Sequence, residues 1–209
     1  MKRGRKKAVR LKAEERMAQI CETTARIIGE KGYEKTSMRE IARQLQVTAP
    51  SLYYHVKNKQ HLLSLVMNYG AELIQRQVID PLAQLSDPEE KLKLLIKNHV
   101  KLMVGQSREV FALIYEQDTL LGRYRPKIQA SKRQYVDLIK GLLSELKESG
   151  RARDVDVTAA TFALLGMINW IYKWFKPEGR LSGEELAEQL TDLFLYGYLR
   201  KAPTKRSST

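Results

Sequence analysis

Every long apolar periodicity in this 209-residue sequence runs at intervals of three and four, and none alternates. Chains patterned this way bury one stripe of each helix and offer no strands to pair, so the expected fold class is all-α with about nine helices. Met17, Ile20, Cys21, Thr24, Ile27 and Ile28 mark a first helix ending at Gly32, a residue suited to the left-handed position that closes helices. Ser37 and Glu40 in S-M-R-E have the spacing of a capping box and open a short second helix to about Leu45. Thr48 caps a third, whose first turn holds Pro50, where a missing N–H costs nothing. Asn58 caps a fourth, expected to run from Lys59 to about Ile79 and to stop at Asp80-Pro81.

The second half repeats this grammar in longer units. Asp87-Pro88-Glu89-Glu90 starts a helix with Leu92, Leu95, Ile96, His99 and Met103 on one face. A short helix follows around Arg108 to Glu116. A long one runs from about Pro126 to Ser149 before Gly150, with Ile128, Tyr135, Leu138, Ile139, Leu142, Leu143 and Leu146 in register. An apolar helix from Val157 to Phe175 ends before Pro177, and a second capping-box pattern, Ser182 with Glu185, opens the last helix.

Charge is distributed unevenly. The chain carries 37 Lys and Arg against 24 Asp and Glu, a net charge of +13. Residues 1–60 hold fifteen bases and six acids; the other 149 residues hold twenty-two and eighteen. A surplus concentrated at one end points to a polyanionic partner there. Lys2, Arg3, Arg5, Lys6, Lys7, Arg10 and Lys12 have no acid among them, the pattern of a flexible arm that follows phosphates or enters the minor groove. No apolar run follows them, so this is not a secretory signal. The apolar stretch Ala159–Tyr172 falls short of the roughly 20 residues a membrane span needs. The lone Cys21 excludes an internal disulfide framework and fits a reducing, cytoplasmic setting.

The segment from Thr48 to Leu62, TAPSLYYHVKNKQHL, is the most informative. Only Leu45-Gln46-Val47 joins the second helix to the third, which is helix-turn-helix spacing. Ile41, Ala42, Leu45, Val47 and Leu52 make a small packing set, and with Leu52 and Val56 inward, Ala49, Pro50, Ser51, Tyr53, Tyr54 and His55 point outward. Hydroxyls and aromatic rings on one short helix suit a major groove, where hydroxyls reach phosphates and apolar edges meet thymine methyls.

TSMREIARQLQVTAPSLYYHVKNKQHLL, preceded by G-Y-E-K-T-S, resembles the DNA-binding signature of the tetracycline-repressor (TetR) family over roughly residues 14–65. The resemblance implies that Ser37 holds a phosphate and that Arg39 reaches a base edge, with guanine the expected base. It places Ala49, Pro50 and Tyr53 at bases or methyls, Ser51, Tyr54, His55 and Lys59 at phosphates, and counts Thr48 among the DNA-binding residues. Gln46 departs from the glycine usual at that turn. A left-handed residue there costs about 1 kcal/mol, so a differently shaped turn is expected. Ala49 is too short to read a base by hydrogen bonds, leaving specificity to Arg39, methyl contacts and DNA shape.

The resemblance further implies a helical ligand-binding and dimerisation domain, a two-fold homodimer on a palindromic double-stranded DNA operator, and a small-molecule effector. The expected division is a basic arm over 1–12, the helix-turn-helix domain over 13–60, the effector and dimerisation domain over 61–200, and a polar tail over 201–209. Leu186, Leu190, Leu193 and Phe194 are the expected dimer stripe. GMINWIYKWFKPEGRLS, Gly166 to Ser182, resembles the corresponding segment in the branch that answers to acyl-CoA thioesters. Trp170 and Trp174 with Lys173 would supply apolar walls beside a cation, and Arg108, Arg123, Arg125 and Lys127 further phosphate partners. Packing of the two tryptophans in a dimer is the competing reading. The mechanism implied is a population shift, in which ligand tilts the fourth helix and resets the separation of the recognition helices.

Three other readings are weighed. Lipophilic drugs controlling efflux fit the same architecture, and a non-specific architectural DNA binder fits the arm and the charge. An enzyme does not fit: His55, His61 and His99 lack partners at metal-ligand spacing, and the chain has no phosphate loop and no G-x-S-x-G. No cofactor and no metal are expected.

Overall fold

The computed structural model describes the backbone of residues 2–105 and 108–199, with side chains from Glu14 onward except those of Arg108, Leu113 and Gln117. Among these residues the chain forms α1 (Lys2–Lys31), α2 (Met38–Gln44), α3 (Ala49–His55), α4 (Lys59–Ile74), α5 (Pro88–Val104), α6 (Arg108–Tyr115), α7 (Arg125–Glu148), α8 (Val157–Asn169), α9 (Ile171–Trp174) and α10 (Gly183–Tyr198). The one β pairing among them is an isolated antiparallel bridge between Ala152 and Leu199. The expected all-α architecture is what the chain adopts.

Two compact units divide the chain: residues 1–73 with 107–131, and residues 74–106 with 132–209. In the first, Ile20 and Ile27 of α1, Met38, Ile41 and Ala42 of α2, then Leu45, Leu52, Val56 and Leu62 share one buried cluster. A second cluster joins Cys21 and Ala25 of α1 to Val66 of α4 and Ala112 of α6. Burial pushes the Cys21 thiol up to about 12, which leaves it protonated and unreactive. The approach of α6 to α4 depends on Gly70: a Cβ there would lie 2.5 Å from the Glu109 carbonyl oxygen. The segment after α6 is held by Gln60, whose Nε2 donates to the Thr119 carbonyl at 2.9 Å while its Oε1 accepts from the Leu121 N–H at 2.9 Å.

Capping follows the sequence closely. Side chains of Thr48, Asn58, Asp87 and Ser182 accept backbone N–H groups three residues on, at 3.3, 2.8, 3.0 and 3.2 Å. Only the last belongs to a complete capping box, with Glu185 returning to the Ser182 N–H at 2.8 Å. At α2 the box is half made: Ser37 accepts from the Glu40 N–H at 3.2 Å, but the Glu40 carboxylate pairs with Lys31.

Four expectations need correction. The basic residues expected in a flexible arm lie within α1, whose backbone is helical from Lys2; their side chains, like the tail 201–209, lie outside the described residues. The fourth helix does not stop at Asp80-Pro81. It widens into a π turn over Gln75–Ile79 and tightens into a 3-10 turn over Asp80–Gln84, so that Pro81 falls where a first turn lacks a donor requirement. The expected helix Val157–Phe175 breaks at Trp170 into α8 and α9, after Gly166 and Asn169, two weak helix formers, in its last turn. Finally, the turn at Gln46 keeps the left-handed shape, with φ +55°, despite lacking glycine. Its geometry is fixed by Gln46 N–H to Arg43 C=O and Val47 N–H to Ala42 C=O, both 3.0 Å.

The second unit is organised on α5, which packs against α8, α9 and α10. Leu92, Leu95, Ile96, His99 and Met103 are all buried, as their spacing predicts. Salt bridges from Lys101 to Glu184 at 2.9 Å and from Lys97 to Glu188 at 3.8 Å run antiparallel along α5 and α10. At the start of α5, Arg151 pairs with Asp87 and, at 2.7 Å, with Glu89.

Two outcomes are expected. Gln46→Gly relieves the left-handed strain and stabilises the protein by about 0.5–1 kcal/mol after the added freedom of the unfolded chain is set against it; an unchanged or lower melting temperature contradicts this. The Arg151 guanidinium, then the Glu90 N–H, hold the Asp87 carboxyl down at about 2. A depressed carboxyl stabilises the fold above its unfolded value near 3.9 and loses that contribution as pH falls toward about 2. Thermal melts of Asp87→Asn should therefore fall less steeply than wild type between about pH 4 and 2.5; parallel curves contradict the linkage.

Candidate DNA-binding face and effector unit

The helix-turn-helix presents its face because the turn at Gln46 sends α3 off with Leu52 and Val56 buried against α2. Ser37, Arg39, Thr48, Pro50, Ser51, Tyr53 and Tyr54 are exposed, Tyr54 at 87%. Ala49 is half-buried, its methyl packed on the cluster beneath and only partly open to solvent. His55 is half-buried, edge-on to Tyr54 with ring centroids 5.3 Å apart. Between Arg39 and Lys59 the sole acid is Glu40, already paired with Lys31, so the face has no free negative charge.

Lys59 sits differently from the expectation of a phosphate-directed side chain. Its Nζ donates to the Glu34 carbonyl at 3.3 Å and lies 4.0 Å over the Tyr33 ring, tying α4 to the α1–α2 connection. The exposed cations nearby are Arg43 and Lys57, which the sequence reading passed over. Lys57 is held by its own backbone N–H, which donates to His61 Nδ1 at 3.0 Å. His61 stacks on Tyr124, centroids 5.6 Å apart, and burial first, then the charges of Lys57 and Arg123, lowers its pKa. It is therefore a neutral acceptor that fixes the corner between α3 and α4.

In the second unit the expected site residues part company. Trp170 and Trp174 are 58% and 46% exposed, and Lys173 lies over the neighbouring Tyr172 ring at 4.9 Å. In the single chain they form an outward patch, not the walls of an interior site. Arg108 belongs to α6, but its side chain lies outside those described. In the first unit, Arg123 and Lys127 are exposed, and Arg125 pairs with Asp118 at 3.3 Å.

The expected dimer stripe divides in the same way. Leu186, at 2% exposure, and Leu190 belong to the chain's own core, because α10 lays that side against α5. Phe194 is half-buried, stacked on Tyr198 at 5.8 Å, whereas Leu193 is 68% exposed. With Leu193 stand Tyr196 and Gly197 of α10 and Phe162, Ala163 and Gly166 of α8, all exposed. Large rings beside small residues allow close helix approach. Helical spacing marked the apolar residues but did not say which side the core takes.

Among the described residues no group of His, Cys, Asp or Glu side chains is placed to hold a metal ion, and no helix is long and apolar enough to cross a membrane.

Comparison with known proteins bears directly on this architecture. Residues 20–66 match the family of bacterial regulatory proteins called tetR, and residues 85–198 match the tetracyclin repressor-like C-terminal domain. The fatty acid metabolism regulator protein of Bacillus subtilis is 26% identical, over 88% of this chain and 95% of its own. Among solved structures, AibR in complex with isovaleryl coenzyme A and operator DNA is 41% identical, with a TM-score of 0.81 over 85% of this chain and 97% of that one. The regulator PfmR from Thermus thermophilus is 28% identical, with a TM-score of 0.76 over 85% and 97%. Together with a helix-turn-helix whose outer face is free of unpaired acids, the two matched domains establish that this chain belongs to the tetR family of DNA-binding transcriptional regulators.

Proposed function

We propose that this chain is a cytoplasmic, homodimeric repressor that holds a palindromic operator and is released from it by an acyl-CoA thioester. The observation that carries the reading is the 41% identity to AibR, whose structure contains both isovaleryl coenzyme A and operator DNA. The likeness to a fatty acid metabolism regulator supports the same effector class. It acts by binding, without turnover.

On DNA, Arg39 reads a base edge from the start of α2, and Pro50, Tyr53 and the Ala49 methyl meet bases or thymine methyls from α3. Ser37, Thr48, Ser51, Tyr54, His55 and Lys57 take phosphates, while Lys59 contributes through the position it gives α4. The seven bases before residue 13 add phosphate contacts at the start of α1. Phe162 and Gly166 of α8 with Leu193 and Tyr196 of α10 form the partner face, and Trp170 and Trp174 extend it. The two-fold axis sets the recognition helices one DNA turn, about 34 Å, apart.

Release is a population shift. A hundredfold loss of operator affinity requires the thioester to favour the released conformation by about 2.7 kcal/mol. Residues 107–131 fold with α1 and α4, so displacement of that segment acts on the DNA-binding unit through Gly70 and Gln60.

Fluorescence anisotropy on DNA from upstream of the protein's own gene, with excess competitor, tests the reading. Binding that resists a thousandfold excess of bulk DNA and is released by one thioester but not by its free acid is expected. Tight binding indifferent to every thioester removes the effector assignment and brings forward lipophilic drugs; binding lost to bulk DNA makes the protein architectural. Arg39→Ala should weaken the specific complex by about 1–3 kcal/mol and relax preference at one base pair per half-site. A uniform loss across all sequences instead makes Arg39 a phosphate contact.

A further inference from the structure

The buried hydroxyls in the second unit are met within the chain. Thr161 Oγ1 donates to the Val157 carbonyl at 2.7 Å, Thr191 Oγ1 to Ala187 at 2.6 Å, and Tyr198 OH to Leu143 at 2.8 Å. The imidazole of His99 is different. It is 1% exposed in the middle of α5, its Nδ1 lies 2.9 Å from Tyr135 OH on α7, and its Nε2 has no hydrogen-bond partner. The rings meet edge-on, 5.4 Å between centroids.

Proton placement follows from counting unmet groups. If Nδ1–H donated to Tyr135, the buried tyrosine hydroxyl proton and the bare Nε2 would both lack partners. If Tyr135 donates to Nδ1, only an Nε2–H donor is left over. We assign the second arrangement. Burial alone brings the imidazole pKa down to about 4, with no neighbouring charge contributing, so the ring is neutral at physiological pH. Leu95, Ile96 and Met103, spaced three and four residues from His99 on the same side of α5, are buried with it. A buried donor left unmet is costly, so its place in the fold calls for a function.

We propose that His99, oriented by Tyr135, is the polar anchor for the effector's acyl carbonyl, donating its Nε2–H to the thioester oxygen while the alkyl chain lies among the apolar residues of α5. This rests on the acyl-CoA reading and deepens it. A neutral donor in an apolar interior suits a neutral carbonyl and rejects a free carboxylate, which arrives with a charge and finds no cation. The anchor thereby distinguishes the activated acid from the free one.

Isothermal titration with isovaleryl-, octanoyl- and palmitoyl-CoA, each beside the S-alkyl-CoA thioether that lacks the carbonyl, tests this. Wild type should bind its preferred thioester at least about tenfold more tightly than the matching thioether. His99→Phe should reduce that ratio to within about twofold, and His99→Gln, which keeps a donor, should restore part of it. Equal wild-type affinity for thioester and thioether overturns the anchor and leaves the effector class standing, and it needs no variant to fold. A ratio kept by His99→Phe overturns it too. If wild type binds none of the three thioesters, the acyl-CoA reading falls and the anchor with it.

Discussion

A missing methyl group at Gly70 sets the geometry on which the DNA-binding half of this protein depends. With any side chain there, the Glu109 carbonyl could not come so near α4, and α6 would have to stand off. Because it does come close, Ala112 of α6 closes a cluster with Cys21, Ala25 and Val66, and the DNA-binding unit is completed by a segment from the middle of the sequence. Gln60 repeats the device at the start of α4, where one amide holds both a carbonyl and an N–H of the segment after α6. Two backbone-level contacts therefore fix α4 at both ends to residues 107–131.

Short-range physics was legible in the sequence. Thr48, Asn58, Asp87 and Ser182 cap the helices their spacing marked, because a cap needs only its own next three residues. The α5 stripe through His99 and Met103 was legible for the same reason. What depends on a distant partner was not. Glu40 has the spacing of a capping box yet pairs with Lys31, and Lys59, written as a phosphate contact, is engaged by Glu34 and Tyr33. Leu186 and Leu193 are equally apolar in the sequence, and only the side of α10 taken by α5 separates core from free surface. Gln46 teaches the converse: the local penalty for a left-handed glutamine was right in sign, and the surrounding hydrogen bonds override it.

The candidate sites differ in how they are built. The candidate DNA face is built from two short helices and the turn between them, so its residues could be named from sequence before their exposure was known. The effector anchor joins α5 to α7 through His99 and Tyr135, 36 positions apart, and no local pattern announces that pair. The tryptophans of the α8–α9 break, conspicuous in the sequence, lie outside in the single chain and belong with the exposed face of α8 and α10.

Pulsed electron–electron distance measurement on the dimer tests the central claim, that effector resets the spacing of paired recognition helices, most directly. Gln44→Cys places a spin label at the exposed end of α2, and the buried Cys21 thiol does not compete for it. One narrow distance distribution is expected on operator DNA, and a displaced one when the releasing thioester is added without DNA. An unchanged distribution under a thioester that releases DNA, or no intersubunit distance at all, would contradict that claim.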